Sequence, residues 1–297
     1  MPRAPRLIAP ALIAACLLAC GGPPPETSGQ PTQKDEPAAV TPPPIAPPDP
    51  LLLKVAQFAP AELHVDISGL PEPEQRTLEK LIAAARKMDP IFDRQAWAGN
   101  PALRERLLKE GNPFKLDYFD IMRGPWDRQD HFAPFAVKDP HPPGAGFYPD
   151  DLSVDDFKRW LSDHPADKAA FESLTTVIQR TSTGLTAVPY SEAYREWLEP
   201  AAELLRQAAA TTENKSLKKF LESRAAAFAS DDYYQSDKDW MDLDSPVEIT
   251  IGPYETYEDE LLGLKATFEA FVTVSDPKAS ADLARFKNYL PDMEQHL

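Results

Sequence analysis

Eleven prolines fall in the thirty positions from Gly21 to Pro50, in runs such as Pro23-Pro24-Pro25 and Pro42-Pro43-Pro44. Proline fixes φ and carries no amide donor, so this stretch cannot join a helix or a sheet ladder and favours extended polyproline II. A packed domain must therefore come after it, from residues 51–297. The stretch itself reads as a tether reaching up to ~90 Å at ~3.1 Å per residue. The chain that follows is long enough for a real core, since 42% of all residues are apolar. Its surface is acidic, with 47 Asp+Glu against 31 Lys+Arg and a net charge of −16. Such a surface repels phosphate backbones and excludes a nucleic-acid partner held by a basic footprint. Two cysteines are too few for a disulfide framework or a thiolate zinc site.

Ahead of the tether, Arg3 and Arg6 precede an almost wholly apolar run from Leu7 to Leu18. That run is too short for a bilayer of roughly 30 Å but suits the h-region of a secretory signal. It ends in Leu17-Leu18-Ala19-Cys20, which resembles the lipobox of bacterial lipoproteins. The resemblance implies a signal peptide over residues 1–19 and a diacylated Cys20 as mature N-terminus. Residues 20–50 are then the lipidated cysteine and its tether. With Cys16 removed, no free thiol remains, and with Arg3 and Arg6 removed the net charge becomes −18. Multiple acyl chains give stable attachment. The expected location is the bacterial cell envelope, on the outer membrane facing the periplasm, because Gly21 and not an aspartate follows the cysteine.

From residue 51 the pattern is α+β and helix-dominated. Pro71–Met88 reads as a helix with Leu78, Leu81, Ile82 and Ala85 on one face, stopped by Asp89-Pro90. Asn100-Pro101 predicts a capped start for a helix ending before Gly111, and Ser153 with Asp156 a capping box for Val154–Ser162. Ser191 is expected to cap a helix to Thr211 with a kink at Pro200. Helices are also expected over Ser216–Ser230 and from Asp276-Pro277 onward, where Leu283, Phe286 and Leu290 share a face. Alternation predicts strands at Leu63–Ile67, Val247–Ile251 and Phe268–Val274, and a hairpin joining Thr176–Arg180 to Leu185–Val188.

Familiar catalytic signatures are missing. No two of the five histidines have zincin spacing, and neither a G-x-S-x-G elbow nor a phosphate-binding glycine loop is present. His131 and His141 flank Asp139 without fixed spacing and read as structural. Asp237, Asp239, Asp242 and Asp244 lack the glycine and glutamate of an EF-hand and read as a solvated face or caps. The most informative stretch runs from Asp244 to Glu258, where Glu248 and Glu255 flank a Gly-Pro turn and Tyr254 and Tyr257 stand nearby. In an alternating strand Glu248 points away from Val247 and Ile249. Carboxylates with phenols in a cleft suit a cationic group such as a peptide's α-ammonium. They also suit a glycosidase pair, or a plain solvent-facing strand edge.

The stretch from Ser245 to Asp259, continuing through Lys265–Val274, resembles the bacterial branch of the dipeptidyl peptidase III family of zinc metallopeptidases. Gly124–Arg128, Pro142–Pro149, Ala187–Tyr194, Ser230–Tyr234 and Asp239–Pro246 resemble the same family, in its order, over roughly residues 60–297. The resemblance implies the N-terminal part of a two-lobed fold, with a small β-structured lobe and several helices. It also implies a zinc-bearing helical lobe whose His-Glu-x-x-x-His motif is absent from this sequence. By that resemblance Glu248 binds the substrate's free ammonium, and Glu255 and Tyr257 line the cleft. Thr250 stands where eukaryotic members place a substrate-binding tyrosine.

The leading expectation is thus the substrate-binding N-terminal portion of a lipid-anchored zinc dipeptidyl peptidase-like hydrolase, inactive on its own. It would bind no zinc by itself and would take peptides with a free N-terminus. A missing zinc-bearing lobe is its expected partner. The alternatives are a non-catalytic lipoprotein that binds peptides or an envelope partner, and a carboxylate glycosidase using Glu248 and Glu255.

Overall fold

Caps and amphipathic faces follow one another closely from Asp49 onward, and helices result. The computed structural model describes residues 48–296. In chain order these hold α1 (Pro50–Val55), α2 (Glu72–Ala85), α3 (Asp89–Ala96), α4 (Asn100–Glu110), α5 (Pro113–Met122), β1 (Trp126–Asp127), β2 (Ala133–Pro134) and α6 (Val154–Asp163). After a short 3₁₀ turn come α7 (Lys168–Phe171), β3 (Thr176–Thr181), β4 (Gly184–Pro189), α8 (Tyr190–Ala193), α9 (Arg195–Thr211), α10 (Lys215–Ser230) and α11 (Tyr234–Met241). Last are β5 (Val247–Glu255), β6 (Thr267–Val274), α12 (Pro277–Lys287) and α13 (Leu290–Glu294). The class is α+β and helix-rich, with small antiparallel sheets.

The core forms where α9 packs against both α2 and α10 and the β5–β6 hairpin closes over α2 and α3. Leu78 and Leu81 of α2, Leu198 and Leu205 of α9, and Leu217, Phe220 and Phe228 of α10 are buried in one cluster with Val247, Ile249, Ile251 and Phe268. Each such side chain contributes roughly 1.5–3 kcal/mol on burial. A smaller cluster of Leu103, Leu107 and Phe119 sits under Trp97 and Phe135. Gly111 ends α4 in the left-handed region at φ 77°, as its position after the last helical residue predicted.

Several expectations need correction. Leu63–Ile67 forms no strand: it has no partner ladder among the described residues, and Leu63 is 92% exposed. Helix α2 ends at Ala85, short of the expected Met88, and Asp89-Pro90 starts α3, with Pro90 in the first turn, where its missing donor costs nothing. The break near Ser191 falls at Tyr194, separating α8 from α9, while Pro200 lies inside α9. Ser191 does not cap; its backbone N–H and hydroxyl both donate to Asp231. Asn100 spends its side-chain amide on the carbonyls of Asp93 and Arg123 in place of capping α4. The helix opened by Asp276 forms, but α12 buries none of its residues, so Leu283 and Phe286 stay exposed. Cys20 and the segments ahead of residue 48 lie outside the described residues.

Candidate functional site

Strand β5 separates its side chains as alternation requires. Val247, Ile249 and Ile251 are fully buried, so Glu248 and Thr250 take the other face. The antiparallel register sets Glu248 opposite Thr273, Thr250 opposite Phe271 and Gly252 opposite Glu269. Glu248 is half-buried and has no hydrogen-bond or ion-pair partner among the described residues, and Phe271 beside Thr250 is 58% exposed. This face therefore offers a ligand the uncommitted Glu248 carboxylate, the hydroxyls of Thr250 and Thr273 and the Phe271 ring, with the Glu269 carboxylate further along it.

The pairing slips between Pro253 and Glu255, so Glu255 comes to stand opposite Thr267. This irregularity re-aims the strand end. Glu255 and Tyr257 both emerge exposed there, beside Glu269. Burial, and then the charge of Glu255, hold the Glu269 carboxyl above its usual range. The Tyr257 phenol is raised by burial first and then by Glu258, Glu269 and Glu255. The structure thus brings Glu255 and Tyr257 together and adds Glu269, which the sequence reading missed because it lies on a different strand. It does not bring Glu248 to them. Seven residues of strand separate Glu248 from Glu255, about 23 Å at ~3.3 Å per residue. A glycosidase pair needs its carboxyls about 5–9.5 Å apart, so Glu248 and Glu255 cannot act as one.

The loop after β5 is fastened by buried charged groups. Glu258 is buried and accepts a bidentate pair from Arg128 Nη1 and Nη2 at 2.6 and 2.8 Å, while Arg128 Nε donates to the Met122 carbonyl. Asp259 accepts from the Tyr148 hydroxyl at 2.8 Å and from the backbone amides of Leu261, Leu262, Leu264 and Lys265. Lys265 Nζ, fully buried, donates to the carbonyls of Phe171 and Ser173 and to Thr176 Oγ1. Burial pushes that ammonium down to about 8 against the pull of Asp259 and Glu172.

Metal ligation finds no support at the histidines. His131 adopts φ 49° in the turn between β1 and β2. The His141 ring stacks on Phe132 at 4.3 Å and meets Trp126 edge-on at 5.0 Å, and burial depresses its pKa. Asp139 engages Trp126 Nε1 through its backbone carbonyl. Among the described residues no group of three or more His, Cys, Asp or Glu side chains could hold a metal ion. Of the clustered aspartates, Asp237 pairs with Arg224 and Asp239 with Lys219, both structural uses. No helix of the described residues is long and apolar enough to cross a membrane.

Comparison with known proteins adds a family. Residues 166–296 match the model described as peptidase family M49. The solved structure of DPP III from Caldithrix abyssi matches with a TM-score of 0.80 and 48% identity, over 83% of this chain and 48% of that one. The dipeptidyl-peptidase III from Corallococcus sp. strain EGB matches with a TM-score of 0.77 and 42% identity, over 83% of this chain and 47% of that one. Nudix hydrolase 3 of Arabidopsis thaliana is 38% identical over 299 residues, which is 82% of this chain and 39% of that protein. The chain therefore spans about half the length of these solved structures, and less of the plant protein.

Proposed function

Over residues 166–296 this chain is a member of peptidase family M49, and on that premise we propose that it is the substrate-binding N-terminal portion of a lipid-anchored, zinc dipeptidyl peptidase-like hydrolase. The observation that carries this reading is the uncommitted, half-buried carboxylate of Glu248 on the open face of β5. A peptide's α-ammonium donates three charge-assisted hydrogen bonds, and Glu248 supplies acceptors for them. The Thr250 hydroxyl, next along the same face, takes the first peptide group. Phe271 forms an apolar wall beside it. Glu255 and Tyr257, at the far end of the strand, line a more distant stretch of the bound peptide.

In a whole M49 enzyme zinc supplies Lewis acidity and an activated water. The described residues do not fit that ion, since no cluster of three or more ligating side chains exists among them. The proposed partner is accordingly a zinc-bearing lobe, and the role of this chain is to bind and orient the peptide. Replacing Glu248 by glutamine is expected to weaken a tripeptide with a free amine about tenfold to a hundredfold, as for a lost charge-assisted hydrogen bond. An N-acetylated tripeptide should be unaffected. Calorimetric titration measures both, and an unchanged affinity for the free amine would remove Glu248 from the site.

Anchoring through Cys20 and residence in the cell envelope are proposed from the lipobox-like run that ends there. Mass spectrometry of the mature protein from its host's envelope is expected to find diacylglycerol on Cys20 as the first residue. A free thiol at that position would contradict the anchor.

A further inference from the structure

Arg224 on α10 is fully buried, yet only one of its nitrogens meets a carboxylate. Nη2 donates to Asp237 Oδ1 at 2.5 Å, while Nε and Nη1 have no acceptor among the described residues. Asp237 is itself 50% exposed, so water screens the pair. Rings enclose the guanidinium instead: the centroids of Phe220 and Tyr233 lie 5.3 Å away and that of Tyr254 5.5 Å. On its remaining side the group presses on the backbone of β5, where a Cβ at Gly252 would meet Nη1 at 2.6 Å. Gly252 adopts φ +153°, so glycine alone supplies both the room and the conformation.

Stability by itself does not account for this arrangement. A buried guanidinium with one half-exposed partner is often matched or bettered by an apolar side chain of similar volume. What arginine adds is a rigid plane that stacks on rings, together with a directed bond. Here that plane joins α10, α11 and β5 at the residue just before the slip at Pro253–Glu255. Glu248 lies four residues earlier, on the face towards which a side chain at position 252 would point.

We propose that Arg224 is a positioning residue for β5. Its guanidinium fixes the strand where it leaves regular pairing, and so fixes where Glu248 stands at one end and Glu255 with Tyr257 at the other. The inference rests on reading the outer face of β5 as peptide-binding, and it names the group that holds that face in place.

The test compares Arg224→Met and Arg224→Lys with the unaltered chain by thermal unfolding, amide hydrogen exchange and calorimetry with trialanine. Arg224→Met should keep the unfolding midpoint within a few degrees and leave exchange in α2 and α9 unchanged. The amides of Thr250 and Gly252, which pair with β6, should exchange about tenfold faster through local opening of the strand. Trialanine affinity should fall about tenfold, the scale of one misplaced charged hydrogen bond. Lysine cannot restore the stacked plane, so Arg224→Lys should follow the methionine variant. Unaltered β5 exchange and affinity in Arg224→Met would overturn the proposal. So would a uniform loss of protection across α2, α9 and β5, the result a purely structural role gives. Should the unaltered chain fail to bind trialanine, the peptide-binding reading falls, and exchange at Thr250 and Gly252 alone decides whether Arg224 positions the strand.

Discussion

Gly146→Ala is expected to be among the most destabilising single substitutions in this chain. A Cβ at this position would stand 1.7 Å from the Arg94 carbonyl oxygen and 2.8 Å from its carbon, which is backbone and cannot rotate away. The Gly146 N–H also donates to the Gln95 carbonyl at 2.8 Å, so the two segments touch through their main chains. Moving α3 outward would carry the Gln95 side chain with it. That side chain accepts from the Phe268 N–H at 2.7 Å and donates to the Ala266 carbonyl, tying α3 to the start of β6. The strain thus reaches the hairpin that bears the candidate site. A cost of about 4 kcal/mol or more is the scale for such a packed position, a large part of the ~5–15 kcal/mol that holds a domain. The unfolding midpoint should fall by roughly 10 °C. Gly111 supplies the contrast, because its φ is +77° but nothing lies within 4 Å of its added Cβ. Gly111→Ala should cost only about 1 kcal/mol.

Arg128→Ala is the second large effect. It would strip the buried Glu258 carboxylate of both its hydrogen bonds to guanidinium. Breaking one side of a buried pair costs about 3–5 kcal/mol, because the stranded charge has lost its water and gained nothing. Urea unfolding should show this loss, and Arg128→Ala combined with Glu258→Gln should recover a good part of it. If the single variant is as stable as the unaltered chain, water must reach Glu258 and the loop is not held as described. The consequence for binding follows from position, since Glu258 directly follows Tyr257 and closes the segment begun at Glu255.

Local patterns carried much of this fold into the sequence. The helix around Leu78 and Leu81 and the strand from Val247 to Ile251 each bury one face, and both periods were legible because their partners lie within the chain. Leu63–Ile67 shows the same period of two and forms no strand, since alternation records which side chains prefer burial and not whether a ladder partner exists. Glu248 could be placed on the open face by counting from Val247. Its distance from Glu255 could also have been counted, at seven residues of strand, and the idea of a joint carboxylate site ignored that arithmetic.

Buried charges were the least legible feature. Arg224 follows Lys218 and Lys219 in a helix whose charges look solvated, and nothing local marks it as enclosed by rings from α11 and β5. Glu258, Asp259 and Lys265 likewise acquire partners from Arg128, Tyr148 and Phe171, residues more than ninety positions away. A one-dimensional pattern holds no trace of such pairs. The cleft role proposed for Glu248 came from the resemblance to the peptidase family, since composition alone left it open among three chemistries.

The most direct test of the central claim is calorimetric titration of the chain with trialanine and with N-acetyl-trialanine under identical conditions. An ammonium held by Glu248 predicts that acetylation weakens binding about tenfold or more, since it removes the charge that the carboxylate recognises. Equal affinity for the two peptides, or tighter binding of the acetylated one, would contradict the assignment of β5 as the seat of a peptide's free N-terminus.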